Sequence, residues 1–344
     1  MSEAKFILSK KVVKKQYDKL KNLGLKVSYS YKTNPIIAKV LEEITDSDFS
    51  IHRVVEITKV KDKSKIWFFA QAWNQEEIRK IIKQGVNKFV IDNPNDLEIL
   101  LNTLNKKVTI SLRMKFQERR VQTGKYYVYG MASKKIEELV NKIHPHNFVE
   151  KIGIHIHRKS QNTSEWEILP ELQDSISNES WEKISFVNLG GGLPSKYRSS
   201  TIEVLPYIFE KLSKVKNWLK DKNIQTYIEP GRFIAAPAVK LVTEIIQIHE
   251  NNIIINSTVY NCALDSVLTG TKLLVENELE ESQEGEVYLI KGNSPTRDDI
   301  FRYKVRLSKK EVGDKLVFVN AGAYNYSTDF FGYEKFKTEI LEKF

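Results

Sequence analysis

Short apolar runs alternate with amphipathic stretches over the first two thirds of the chain. The runs are "KVSYSY", "DFSIH", "KIWFFA", "KFVI", "VTISLRM", "EKIGIHIH", "ISFVNL" and "TYIEP". Each is short and β-prone, as a strand requires. Between most of them lie stretches of helical periodicity, such as "NQEEIRKIIKQG" and "NPNDLEILLNTL". Such alternation predicts parallel strands joined by crossover helices, and eight units in about 200 residues predict an α/β fold, a (β/α)8 TIM-type barrel. After Arg232 the texture changes. "AVKLVTEIIQIH", "NIIINSTVY" and "GEVYLIKG" are β-prone with no helical stretch between them, which predicts a C-terminal β-domain. The expected division is an N-terminal segment, 1–24, that joins the β-domain, a barrel over 25–235, and the β-domain over 236–344.

Composition narrows the function classes. Of 344 residues, 41% are apolar and 28% charged, the balance of a soluble globular enzyme. The net charge of +10 comes from 54 basic against 44 acidic residues. The lysines are scattered through helical stretches such as "SKKVVKKQYDKLKNLGLK" and form no aromatic-interleaved stripe, so the excess reads as a solvated surface rather than a nucleic-acid face. The single cysteine, Cys262, excludes an internal disulfide and a cysteine zinc site, and is expected as a buried apolar residue in a strand. "MSEAKFILSK" lacks the apolar core of a signal peptide, and no apolar run approaches the roughly 20 residues that span a bilayer. The expectation is a cytoplasmic protein with no membrane partner and no metal.

Candidate chemistry lies where the strands end, because barrel active sites gather at the carboxyl ends. Those ends carry Lys32, His52, Arg113, His157, the triplet Gly190-Gly191-Gly192, and Glu229 followed by Gly231 and Arg232. A lysine closing "VSYSYK" is either a surface residue or an amine held for chemistry. Glycines in "NLGGGLP" leave backbone N–H groups open to a phosphate, and "EPGR" follows one strand later, where barrels of this type bind phosphate. Arg232 supplies planar cationic donors suited to that group. A phosphate site, a lysine and a carboxylate on one rim suggest pyridoxal 5′-phosphate. Lys32 would form the Schiff base, Glu229 would keep the pyridine nitrogen protonated, and His157 would stack on the ring. Arg113 could orient the cofactor's phenolic oxygen or pair with a barrel carboxylate. His155 reads as structural, and Asp92 and Asp265 have no evident role.

Taken together these motifs resemble the fold-type III, alanine racemase-like decarboxylases of ornithine, diaminopimelate and arginine. "YSYKTN" resembles the cofactor-lysine segment, and "GIHIHRKSQN" the strand with the stacking histidine and a phosphate-contacting serine, here His157 and Ser160. "NLGGGLPSKY" and "IEPGRF" resemble the phosphate glycines and the glutamate–arginine motif, and "VNAGAYNYST" the C-terminal segment whose tyrosine, here Tyr324, contacts phosphate. The resemblance implies decarboxylation of an amino acid, a diamino acid or related, by a head-to-tail homodimer with shared active sites. Glu229 favours a decarboxylase, since racemases of this fold carry an arginine there. Where the family has a cysteine followed by an acidic residue that reads the substrate's distal amine, this chain has "GNSPTRDDIF". Pro295 takes the cysteine's place, and Asp299 is expected as the acidic catalytic group beyond Arg297 and Asp298. Lys159 stands where a glycine is usual, and His52 and Arg53 where small and acidic residues are. The missing cysteine leaves a racemase or other pyridoxal phosphate reaction, or a non-catalytic regulatory homologue, as alternatives.

Overall fold

The computed structural model describes residues 3–116, 129–325 and 336–344. Two compact units divide the chain: Tyr17–Leu193 with Glu203–Gly231, and Met1–Gln16 with Pro194–Ile202 and Arg232–Phe344.

The first unit is a closed barrel of eight parallel strands in chain order. They are β2 (Lys26–Ser30), β3 (Asp48–Ile51), β4 (Ile66–Phe69), β5 (Lys88–Ile91), β6 (Val108–Arg113), β7 (Val149–His155), β8 (Phe186–Asn188) and β9 (Gln225–Ile228), preceded in the chain by β1 (Lys5–Ser9) of the other unit. Every strand expected from the alternation is present. Outer helices form where sequence and caps agree. In the helix Gln75–Lys83, Asn74 and Glu77 form a capping box, and Ile78, Ile81 and Ile82 make the buried stripe. Burying each isoleucine stabilises by about 1.5–3 kcal/mol, so the stripe outweighs the cap, whose loss in Asn74→Ala costs about 1 kcal/mol.

Strand register layers the barrel interior. Low in the strands, Lys88 pairs with Asp48 at 2.9 Å and Trp67 Nε1 donates to the same carboxylate at 3.0 Å. Trp67, Phe186 and Tyr227 pack together above them with centroids 5.0–5.8 Å apart, Tyr227 at a steep angle to both and Trp67 tilted against Phe186. Gly153 makes room for this plug, since a Cβ there would lie 2.2 Å from the Phe186 ring. Register aligns Ser30 with Ser50, Arg113 with His155, and His155 with Asn188, so polar residues meet at the carboxyl ends.

The second unit holds an eight-stranded sheet. Its strands are β1, β10 (Val239–His249), β11 (Asn252–Ile255), β12 (Leu274–Val275), β13 (Glu286–Lys291), β14 (Ile300–Leu307), β15 (Lys315–Val319) and β16 (Thr338–Leu341). β1 pairs antiparallel with β10 and parallel with β16. Two short helices, Val259–Cys262 and Leu264–Thr269, interrupt the expected run of strands. "NIIINSTVY" leaves the sheet at Ile255, because Thr258 and Asn261 form a capping box that starts a helix. Cys262 therefore lies on a helix rather than a strand. It is fully buried, its thiol donates to Thr258 O at 3.0 Å, and burial pushes its pKa up. Pro194–Ile202 groups with this unit although it lies between the seventh and eighth barrel strands in sequence.

Candidate active site

Strand β2 ends at Ser30, and Tyr31–Thr33 form one 3₁₀ turn, so Lys32 sits just beyond the strand. The turn is held firmly. Asn34 accepts from the N–H groups of Ile36 and Ile37 and so caps the next helix, and Ser30 N–H donates to Pro230 O at 3.1 Å. Gly231 lies against the same turn, where a Cβ would meet Thr33 Oγ1 at 2.3 Å. The glycine of "EPGR" is thus required by the lysine turn whether or not it meets a ligand. Lys32 itself is exposed and has no hydrogen bond or ion pair among the described residues.

Glu229 follows β9 and is nine-tenths buried. Ser50 Oγ donates to Oε1 at 2.7 Å and Asn188 Nδ2 to the same oxygen at 2.9 Å, while His155 Nε2 lies 2.9 Å from Oε2. Burial pushes this carboxyl upward. The His155 charge and the hydrogen bonds from His155 and Ser50 more than offset it, and hold the pKa at about 2. A carboxylate offers roughly four lone pairs. Three are taken, and one on Oε2 remains.

Two further histidines face the mouth. His52 stacks on Phe69 at 4.7 Å, and Phe69 turns its edge to His155 at 5.3 Å. Burial, then the nearby Lys32 charge, lowers His52 to about 4. Its Nδ1 is buried with no hydrogen-bond partner among the described residues. Burial, then His155 and Arg113, lowers His157 to about 4 as well. Gly191 N–H donates to His157 Nδ1 at 3.1 Å, so the neutral ring carries its hydrogen on Nε2.

The glycine triplet is a packing requirement first. Gly190 and Gly192 have φ of +69° and +100°. A Cβ on Gly190 would lie 2.1 Å from Ile156 O, and one on Gly192 2.4 Å from Lys159 O. The expected free N–H groups are mostly committed, since Gly190 N–H donates to Asn188 Oδ1 and Gly191 N–H to His157. Only the Gly192 N–H lacks a partner among the described residues. Ser160 is exposed in the turn that follows β7. Lys159, in place of a glycine, pairs with Glu165 at 2.6 Å. Arg113 pairs with Asp92 at 3.2 Å, which gives Asp92 its role.

In the β-rich unit, Arg232 is buried and held by Asp265 through Nη1 and Nη2, at 2.5 and 3.0 Å. Its Nη1 also donates to Tyr197 Oη at 3.0 Å, and the guanidinium lies 5.0 Å from the Tyr324 ring centroid. Asp265 is thus the partner of Arg232. Among the described residues Nε has no partner and one Nη2 hydrogen stays uncommitted, so the donors expected for phosphate are reduced but not exhausted. Tyr324 holds φ +59°, a strained value for a bulky residue. The end of its motif, residues 326–328, lies outside the described residues.

Asp299 is corrected by the structure. It is fully buried, and its carboxylate accepts from Val259 N–H at 2.8 Å, Ser294 N–H at 3.1 Å and Ser294 Oγ at 2.6 Å. It ties the turn together and offers nothing to a substrate. The exposed charges of the segment are Arg297 and Asp298, with side chains 95% and 84% accessible.

Sequence reasoning missed Ser50, Asn188 and the Glu229 contact of His155. Each is a polar residue in an otherwise apolar strand, and that was the available signal. The mouth fits pyridoxal phosphate. It offers an exposed amine for the aldehyde, an anionic carboxylate with one lone pair open to a pyridine N–H, and the His52 Nδ1 and Gly192 N–H, which have no hydrogen-bond partner among the described residues.

Comparisons with known proteins agree with this chemistry. The family model described as pyridoxal-dependent decarboxylase, pyridoxal binding domain, matches residues 9–236. A diaminopimelate decarboxylase of Zymomonas mobilis is 24% identical over 322 residues, covering 87% of this chain and 76% of the relative. The structure resembles lysine decarboxylase from Selenomonas ruminantium (TM-score 0.83, 18% identity, covering 99% of this chain and 93% of that one). It also resembles diaminopimelate decarboxylase from Helicobacter pylori complexed with L-lysine (TM-score 0.80, 19% identity, 99% and 92%). At these identities the structural likeness carries the fold.

Proposed function

Because the chain belongs to the pyridoxal-dependent decarboxylase family, we propose that it removes the α-carboxylate of a diamino acid or a close relative, with the cofactor held on Lys32. Pyridoxal 5′-phosphate is the family's cofactor and amino-acid decarboxylation its reaction. One observation carries the site assignment: a free Lys32 amine and a buried, triply hydrogen-bonded Glu229 carboxylate belong to one barrel mouth.

Bound there, the cofactor supplies the sink for the electron pair left when carbon dioxide departs. Lys32 would provide the attaching amine, and Glu229 would accept the pyridine N–H. His157, neutral and fixed by Gly191, offers a flat face for the ring. Gly192 N–H and Ser160 are the barrel's own candidate phosphate donors. Pro295 has no proton to give, so the proton returned to the substrate carbon comes from the Lys32 amine or from water near His157. The exposed Arg297 suits a substrate with a distal carboxylate, and Asp298 one with a distal amine. The polar turn Gly292–Asp299 and the Tyr324 segment are suited to completing a partner's site in a homodimer. A chain whose one cysteine is buried fits a cytoplasmic enzyme.

Pro295 also favours a second reading, a racemase or a regulatory homologue that keeps the cofactor without turnover. Incubating the holoprotein with basic and acidic amino acids while following carbon dioxide decides between them. The proposal expects release from at least one, with diaminopimelate first to be tried. Exchange of the α-hydrogen with no carbon dioxide makes the protein a racemase. No spectral response to any amino acid makes it a regulatory homologue.

A further inference from the structure

We infer that His155 is a positioning residue that keeps the Glu229 carboxylate anionic and aimed, and thereby keeps the cofactor's ring nitrogen protonated. The inference rests on the functional reading above and extends it to a residue that would not itself touch the substrate.

The geometry is a three-sided clamp. Ser50 approaches from β3, Asn188 from β8 and His155 from β7, at 2.7, 2.9 and 2.9 Å. Ser50 and Asn188 fill both lone pairs of Oε1. His155 takes one lone pair of Oε2, so a ring N–H can enter from one direction only. Ser50 is itself backed by Ser28 at 2.8 Å, which braces the clamp from inside the barrel. His155 is 1% exposed, and the Phe69 ring packs perpendicular to it at 5.3 Å, so the imidazole has little freedom to swing away.

Of the three donors, His155 alone can carry charge. Burial by itself would drive Glu229 toward its neutral acid. A neutral carboxylic acid beside the ring would donate a hydrogen bond where the site needs one accepted. The ring nitrogen would then lose its proton, and the electron sink would weaken. Ser50 and Asn188 hold the carboxylate in place, but His155 decides which partner keeps the proton.

The test uses the full-length holoprotein reconstituted with cofactor labelled with ¹⁵N in the ring, read by NMR at neutral pH. The wild type should show a protonated ring nitrogen. His155→Leu should move the resonance to the unprotonated position and lower kcat about tenfold to a hundredfold, the loss of one charged hydrogen bond. His155→Gln, which restores a neutral donor near the Nε2 position but no charge, should recover only part of the shift, and full recovery would assign the effect to the hydrogen bond rather than to the charge. Ser50→Ala should move it in the same direction as His155→Leu by less, and decides the matter if the leucine variant fails to fold. A protonated ring nitrogen throughout the folded variants overturns the inference. A wild type that takes up no cofactor refutes the functional reading instead.

Discussion

Glu229 and Asp299 are both buried carboxylates, and both accept three hydrogen bonds, yet they do opposite work. Glu229 is met by side chains from three different barrel strands, and one lone pair stays open toward the mouth. Asp299 is met by two backbone N–H groups and the hydroxyl of Ser294, all within its own unit. Gly292 closes over it so tightly that a Cβ there would lie 2.3 Å from the carboxylate. A carboxylate that answers backbone donors is a knot, because those N–H groups have no other partner when it is removed. A carboxylate held by side chains can be oriented toward a ligand and tuned by its neighbours. Burial and hydrogen-bond count are the same in kind at the two sites, and only the identity of the donors separates a structural acid from a chemical one.

Substitution should split the pair cleanly. Glu229→Gln keeps the shape and loses the charge, and turnover should fall about a thousandfold, while the melting temperature drops by less than in Asp299→Ala, because the charge that is lost also stabilises the fold. Asp299→Ala should do the reverse. It strands buried donors and should cost about 3 kcal/mol of folding stability, measured by denaturant titration. Equal effects on stability and turnover in the two variants would dissolve the distinction.

Acid should attack the barrel mouth before it attacks the carboxylate clamp. His52 and His157 titrate near 4 rather than 6.5, so the unfolded chain binds more protons between those values. Stability should therefore fall as pH drops from about 6.5 to about 4. Glu229, held near 2 against an ordinary 4.5, contributes stability above pH 4.5 that is lost as pH falls toward 2. A melting temperature that stays flat between pH 6.5 and 4.5 would contradict the buried neutral histidines. The smallest effect belongs to Arg297, whose side chain is 95% accessible. Arg297→Ala should change stability by no more than about 0.5 kcal/mol while shifting KM for substrates with a distal carboxylate.

Much of this was legible in the chain. The rhythm of short apolar runs and helical stretches located all eight barrel strands, because a strand buried on both faces leaves its mark on consecutive residues. Lys32 and Glu229 were legible as strand-end residues. Asp299 was misread because an acidic residue in a polar turn looks the same whether it faces outward or inward, and burial depends on Gly292 and Ser294 closing over it. The Ser50–Asn188–His155 clamp and the Arg232–Asp265 pair were hidden for a different reason. Each joins elements far apart in sequence, and only barrel closure or sheet packing brings them together. The helix at Val259–Cys262 was missed because β-prone residues masked the Thr258–Asn261 capping box. The glycines were found, but their reason was incomplete: neighbouring carbonyls exclude a Cβ before any phosphate is considered.

The central claim is that the exposed Lys32 at this mouth, without a hydrogen bond or ion pair among the described residues, is the amine that carries the cofactor. Borohydride reduction of the holoprotein followed by peptide mass mapping tests it most directly. A single pyridoxyl adduct is expected, on Lys32, and none in Lys32→Ala. An adduct on another lysine, or a cofactor bound without any reducible linkage, would contradict it.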